Sequence, residues 1–247
     1  MKKLQIEKFG TLGRERLGHW ECGGKPIQSP GLWLTTSSCN VPHLTPETLE
    51  MSGTKNFFSG ILLSYEKHAR SVDVYEAYSQ GFAKFCHFQD MPTLLTILDP
   101  MVPRKPGFST IKDISVWGQH HQRERVDHHH YLKGIAALKP DAYVSLCDSD
   151  MGNSAKRMQK ALKFTHDCID LMQTYIDDDN VHSPMIGALE GGLDKNVREK
   201  EAKLLDKLPI SKKSKCYCKC TADFSCFQVS YPFCFLNSRW SFVGWLS

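Results

Sequence analysis

Two acidic positions in this sequence stand where chemistry could be done. Asp148 follows a run of apolar and small residues at 142–147, and Glu190-Gly191-Gly192 follows a second such run at 185–189. An acid at the C-terminal end of a buried parallel strand lies on the edge where α/β proteins bind ligands, because the loops there vary while the strands fix their position. A carboxylate at that point can accept hydrogen bonds from the N–H groups of a purine-like base. Paired glycines let the backbone approach a flat ligand closely. The same residues also have a plain structural use, Asp148 as the cap of the next helix and Gly191-Gly192 as a turn. Residue types alone leave both readings open.

Other constellations are less specific. No G-x-x-x-x-G-K-[ST] loop is present and Glu190 would repel a phosphate, which excludes a nucleotide hydrolase of that kind. His120-His121 and His128-His129-His130 offer imidazoles. Adjacent residues on a helix point about 100° apart, however, so the triple run supplies one ligand per face and reads as a polar loop and helix start. Cys216-Tyr217-Cys218-Lys219-Cys220, with Cys226 and Cys234, could hold zinc as thiolates, but paired C-x2-C knuckles and a following histidine are lacking. These read as incidental thiols. There is no G-x-S-x-G elbow, and no Cys and His pair stands out as nucleophile and base.

The elements that must position Asp148 and Glu190 alternate. The pattern predicts a helix over 128–139, a strand over 142–147, a helix over 154–175, a strand over 185–189 and a helix over 194–207. In the long helix Met158, Leu162, Cys168, Ile169, Met172 and Tyr175 recur near helical spacing, while Lys156, Lys160 and Asp167 fall on the opposite side. Strands separated by helices need crossover connections, which predicts parallel strands in an α/β domain of either the barrel or the doubly wound kind. Residues 94–98 and 114–117 read as further buried strands of the same sheet, 75–85 as a helix, and the first forty residues as irregular strand and loop. After Ile210 the alternation stops and a Cys, Phe and Trp-rich stretch follows without usable periodicity.

The 247 residues carry a formal net charge of +4, but from Ser211 onward there are five Lys or Arg and one Asp. The preceding 210 residues balance 26 basic against 26 acidic side chains, so no broad basic face for holding RNA by phosphate neutralisation is predicted. The opening Met1-Lys2-Lys3 runs into Leu4-Gln5-Ile6-Glu7-Lys8 with no apolar signal region, and no apolar run is long enough to span a bilayer. These features predict a soluble chain that is not exported. Five cysteines scattered singly through the body (Cys22, Cys39, Cys86, Cys147, Cys168) fit reduced thiols.

Several stretches together resemble the accessory, non-catalytic subunit of the eukaryotic tRNA-guanine transglycosylase family, the queuine tRNA-ribosyltransferases. They are Val41-Pro42-His43-Leu44-Thr45-Pro46-Glu47-Thr48-Leu49, Asp99-Pro100, Ser115-Val116-Trp117, Lys139-Pro140-Asp141 with Leu146-Cys147-Asp148, and Ile186-Gly187-Ala188-Leu189-Glu190-Gly191-Gly192. Each is weak alone, but their order and spacing match over roughly residues 1–209. The resemblance implies an α/β fold of the TIM-type (β/α)8 kind, here partial and incomplete at the C-terminus. It divides the chain into a barrel-like part at 1–209 and an unrelated Cys and aromatic-rich, poorly ordered tail at 210–247.

It further implies a heterodimer with a catalytic queuine tRNA-ribosyltransferase subunit, tRNA with a G-U-N anticodon bound through that complex, and exchange of guanine for queuine at the wobble position. A cytoplasmic location, peripheral at most on the mitochondrial outer membrane, goes with it. In the catalytic relatives a Gln-Gly-Gly motif contacts the base; the matching position here is Glu190, which resembles the accessory type. Asp148 matches a base-contacting aspartate. Asp148, Glu190, Gly191 and Gly192 are therefore the candidate base pocket, with no catalytic residue expected. The strand carrying the family's carboxylate nucleophile and its zinc motif, C-x-C-x2-C with a later His, lie beyond the point where this sequence diverges. Zinc belongs to the family, and no cofactor is expected here. A (β/α)8 barrel takes about 250 residues, so an unclosed barrel with an exposed edge is expected, from a truncated isoform or an artefactual reading frame. The competing expectations are an inert fragment and an active base-exchange glycosyltransferase using Asp148 or Glu190.

Overall fold

The computed structural model describes residues 5–9, 16–29, 31–37, 39–100, 102, 110–118, 122–148, 154–177, 181–191, 194–205, 217–220, 227–229 and 233–234. The first strands, β1 (Gln5–Phe9), β2 (Arg16–Cys22) and β3 (Lys25–Ser29), form an antiparallel three-stranded sheet. Cys22 pairs with Lys25 across the two-residue turn Gly23-Gly24, whose φ angles of 56° and 76° suit a twisted hairpin and favour glycine.

The main sheet contains five parallel strands, β4 (Gly31–Thr35), β5 (Gly60–Ser64), β6 (Thr93–Thr96) and, after the hairpin β7 (Asp113–Trp117) and β8 (Arg123–Asp127), β9 (Ala142–Val144) and β10 (Met185–Leu189). They lie side by side in chain order, β4-β5-β6-β9-β10. Crossover segments supply the helices: α1 (Pro46–Met51) between β4 and β5; α2 (Tyr65–His68), α3 (Val72–Tyr78) and α4 (Phe82–Phe85) before β6; α5 (His128–Leu138) before β9; and α6 (Ala155–Asp177) before β10. Helix α7 (Lys195–Leu205) follows β10. Strands β5 and β10 are buried at every residue, as expected of parallel strands covered on both faces.

Three short segments from beyond residue 210 add to this sheet. Strand β11 (Tyr217–Cys220) runs parallel beside β10, β12 (Phe227–Val229) antiparallel to β11, and β13 (Phe233–Cys234) parallel to β4. Where the sequence predicts an open edge after 185–189, β10 is paired.

Helices close over the sheet through aromatic contacts. Tyr65 and Tyr131, both fully buried, meet edge to face at 4.8 Å, and the Tyr131 hydroxyl donates to the Val144 carbonyl at 2.7 Å. Gly134 on α5 presses against the Tyr65 ring, where a Cβ would lie 2.3 Å from Cε2. On α6, Cys168, Ile169 and Met172 are buried as the periodicity predicts. Ala161 and Phe164 complete the stripe, while Lys156, Lys160 and Asp167 are exposed.

Two expectations are corrected. Residues 114–117 do not extend the parallel sheet: they lie in β7, which pairs antiparallel with β8 in a separate two-stranded ribbon. Only alternate β7 residues are buried, whereas a strand of the parallel sheet is covered on both faces. The helix expected over 75–85 is interrupted at Ser79 (φ 64°) and Gly81 (φ 81°), with α3 ending before and α4 starting after. A Cβ on Gly81 would sit 2.9 Å from Lys139 Cβ, so the break lets this segment pass the end of α5.

Candidate functional site

The two acids singled out from the sequence sit on neighbouring strands. Tyr143 pairs with Met185 and Val144 with Ile186, and the Ser145 N–H continues the ladder to the Ile186 carbonyl at 2.8 Å. That register, carried to the strand ends, puts Asp148 opposite Glu190. Both are buried, at 3% and 2% exposure. A carboxylate withdrawn that far from water needs a partner, and the Asp148 carboxylate is ion-paired with Arg157 in the first turn of α6. Asp148 therefore ties the strand end to the following helix through a side-chain ion pair.

Gly191 turns the chain from β10 into α7. Its φ of 128° favours glycine, and a Cβ there would lie 2.8 Å from Arg198 Cγ and 3.0 Å from the Arg198 backbone nitrogen. Its carbonyl accepts from the Asp194 N–H at 3.0 Å, and Asp194 Oδ1 accepts from the N–H groups of Asn196 (2.9 Å) and Val197 (3.2 Å). Gly191 thus has the turn role that its residue type allowed. Gly192 lies outside the described residues.

The same edge carries a second group that sequence reasoning missed. Ser64 pairs with Thr96 at the ends of β5 and β6, and three residues beyond each strand end Lys67 Nζ of α2 is ion-paired with Asp99. Lys67 also donates to the Thr36 carbonyl at 3.1 Å beyond β4, so one ammonium links the ends of three adjacent strands. Glu66 Oε1 accepts from the Asp99 N–H at 2.7 Å. Burial pushes the Glu66 carboxyl up to about 7, assisted by the negative charge of Asp99; the Asp99 N–H and Lys67 pull the other way. A carboxyl poised near neutrality beside an ion pair can hold or release a proton at physiological pH. The signal was legible in kind: Glu66-Lys67 follows the apolar run at 60–64, and Asp99 follows the run at 94–98.

The histidine run behaves as a helix start. Asp127 caps α5 by accepting from the His130 N–H at 2.7 Å, and the three rings diverge. His128 packs on Phe164 with centroids 4.4 Å apart, His129 approaches Tyr175, and His130 Nδ1 lies 3.2 Å from the Tyr65 hydroxyl. His120, His121, Cys216 and Cys226 lie outside the described residues. Among the described residues no three His, Cys, Asp or Glu side chains gather as a metal site. No helix among them is long and apolar enough to cross a membrane.

A five-stranded parallel sheet in chain order, with paired acids and charged residues on its C-terminal edge, defines an α/β protein whose ligand edge is built from strand ends. Residues 12–215 match the family described as Queuine tRNA-ribosyltransferase, and the chain belongs to that family. It is similar to proteins named Queuine tRNA-ribosyltransferase accessory subunit 2. The one from Xenopus laevis is 31% identical over 185 residues, 71% of this chain and 43% of the relative. That from Xenopus tropicalis is 30% identical over 195 residues (76% and 46%), and that from Ixodes scapularis 29% over 200 residues (79% and 50%). The chain thus spans about half the length of the curated relatives it matches.

Proposed function

We propose that this chain serves as a non-catalytic subunit of a queuine tRNA-ribosyltransferase. It associates with a catalytic subunit and supports exchange of guanine for queuine at the wobble position of tRNAs with G-U-N anticodons. The observation that carries this reading is the collinear similarity to relatives named as accessory subunits, joined to Glu190 at the position where the catalytic type is expected to carry Gln. An arginine already compensates Asp148, which suits a positioning role better than attack on a ribose.

The reading extends to architecture. Strands that neighbour one another in chain order, with helices in the crossovers, support a (β/α)8-type barrel, since a doubly wound sheet reverses its order at a switch point. In this picture residues 1–209 form the barrel-like part and 210–247 a tail of unrelated sequence, whose short strands β11 and β13 border the sheet at β10 and β4. Asp148, Glu190, Gly191 and Gly192 form the candidate base pocket, tRNA is held through the heterodimer, and the complex is cytoplasmic with at most peripheral contact to the mitochondrial outer membrane.

The test is co-expression with the catalytic subunit, followed by guanine-to-queuine exchange measured in the purified complex beside the catalytic subunit alone. Co-purification with stimulated exchange is expected. Failure to co-purify would leave the inert-fragment reading, and exchange by this chain alone, abolished by Asp148→Asn, would make it an enzyme.

A further inference from the structure

The even balance of charge over the first 210 residues conceals a local separation. In α6 every charged residue from 155 to 163 is basic: Lys156, Arg157, Lys160 and Lys163. Arg157 turns to Asp148, whereas Lys156, Lys160 and Lys163 are exposed and form no hydrogen bond or ion pair among the described residues. Their i, i+4, i+7 spacing sets them on one face of the helix over about 10 Å. Farther along the same face come the exposed Asp167 and Asp170, so the basic stretch is confined to the half of α6 that leaves the strand-end edge. Helix α7 lies alongside, joined by the 2.7 Å contact between His166 Nε2 and Glu201 Oε2. That contact draws Glu201 out of solvent, and leaves Lys195, Lys200 and Lys203 exposed with Glu199 as the exposed acid of the helix.

The helices gain nothing from this pattern. A cation in the first turn opposes the helix dipole, and neither α6 nor α7 has an acid there. Like charges three and four residues apart repel, and Lys156, Lys160 and Lys163 have no acid between them to offset it. We infer that this face of α6, flanked by α7, is a docking surface for the phosphate backbone of RNA. The inference rests on the proposed role of the chain in a tRNA-modifying complex, and adds a surface on this chain that meets the RNA directly. Unpaired ammonium groups neutralise phosphates and release their counterions without reading sequence. Position agrees: Arg157 fastens the start of α6 to Asp148, so RNA on the lysines lies beside the candidate base pocket. A membrane surface is the poorer match. Interfacial helices set exposed apolar side chains against their lysines, and among the described residues none of the large exposed hydrophobic side chains lies on α6.

The experiment titrates a labelled tRNA transcript with a G-U-N anticodon with the full-length chain, by fluorescence anisotropy at a series of KCl concentrations. The triple variant Lys156→Gln, Lys160→Gln, Lys163→Gln is expected to bind about tenfold more weakly at low salt, and to reduce the slope of log affinity against log salt by about 2–3, one phosphate contact for each lysine. Asp167→Asn with Asp170→Asn, which removes the acids from the same face, should tighten binding severalfold. Melting temperature and capture of the catalytic subunit should match the parent chain in both variants. Absence of tRNA binding by the parent chain at low salt, or an affinity and salt slope unchanged in the triple variant, would overturn the proposal and leave the accessory role standing. Failure of the parent chain to co-purify with the catalytic subunit would sink that role instead, and the tRNA titration would still decide the surface. Loss of binding to phosphatidylserine vesicles in the triple variant, with tRNA affinity unchanged, would assign the face to a membrane and overturn the proposal as well.

Discussion

At the β5–β6 end of the sheet edge the charges are locked among themselves; at the β9–β10 end they are locked to the helices that follow. Lys67 joins Asp99 and the Thr36 carbonyl, and Glu66 accepts from the Asp99 backbone, so that group spans three strand ends. Asp148 instead reaches Arg157 of α6, and Gly191 packs under Arg198 of α7. The first arrangement fixes strands relative to one another; the second fixes the entry of each helix. An edge built this way keeps the buried Asp99 and Asp148 compensated while leaving the adjoining loops free to carry binding specificity.

The comparison breaks most visibly at the cations. Lys67→Met leaves the Asp99 carboxylate, 4% exposed, without its counter-charge, and a loss of about 3–5 kcal/mol in unfolding free energy by denaturant titration is expected. Arg157→Met should cost less, because Arg157 is 23% exposed against 14% for Lys67 and water can replace part of what is lost. Equal losses would mean that the two ends are anchored alike.

Protons distinguish the ends next. The Glu66 carboxyl rises from its ordinary 4.5 to about 7 on folding. The folded state thus retains a proton that the unfolded state releases, and stability from this group falls as pH rises from about 4.5 to about 7, by on the order of 3 kcal/mol. His68 works in the opposite sense. Burial, and then the charge of Lys67, hold it down to about 4 from 6.5, so its contribution is full above 6.5 and is lost as pH falls toward 4. The two slopes offset each other where they overlap. Glu66→Gln should therefore unmask a stability that climbs steadily with pH between 4.5 and 6.5 in thermal melts across pH, where the parent chain stays flatter. An unchanged profile would place the Glu66 carboxyl in water.

At the other end the sensitive group is backbone. Gly191→Ala demands a φ of 128° from an L side chain and brings its Cβ to 3.0 Å from the Arg198 nitrogen, so a loss of about 2 kcal/mol is expected by chemical denaturation. A neutral result would show that the turn can relax without α7.

Sequence reading reached this second end more easily than the first. Asp148 and Glu190 each close an apolar run flanked by strong helical patterns, so strand, acid and helix announce one another. Strands β4 and β5 escaped because their crossover is built from the short α1 and a single 3-10 turn rather than a long amphipathic helix. With no helical period beside it, Gly60–Ser64 is one apolar run among many, and Glu66 and Lys67 went unnoticed with it. Strand β8 was hidden for another reason: Arg123-Glu124-Arg125 reads as a polar loop, and it forms a strand because β7 offers a backbone partner, with Val126 as its one fully buried residue. The ion pairs Lys67–Asp99 and Arg157–Asp148 depend on register, which no local pattern states.

The smallest effect tests whether the β10–α7 turn acts as a unit. Asp194 caps α7 through two backbone N–H groups at an exposed position, so Asp194→Ala should cost about 1 kcal/mol. Yet the Asp194 N–H also donates to the Gly191 carbonyl, and the Arg198 N–H donates to the Asp194 carbonyl. Both substitutions therefore loosen the same first turn. Once Gly191→Ala has displaced that turn, the Asp194 carboxylate no longer faces the N–H groups it caps, and its removal should cost little more. The double variant is accordingly expected to lose less than the sum of the two single losses, by about 0.5 kcal/mol or more in a double-mutant cycle. Strict additivity would mean that glycine and cap act separately, and that the helix entry at this end is not held as one piece.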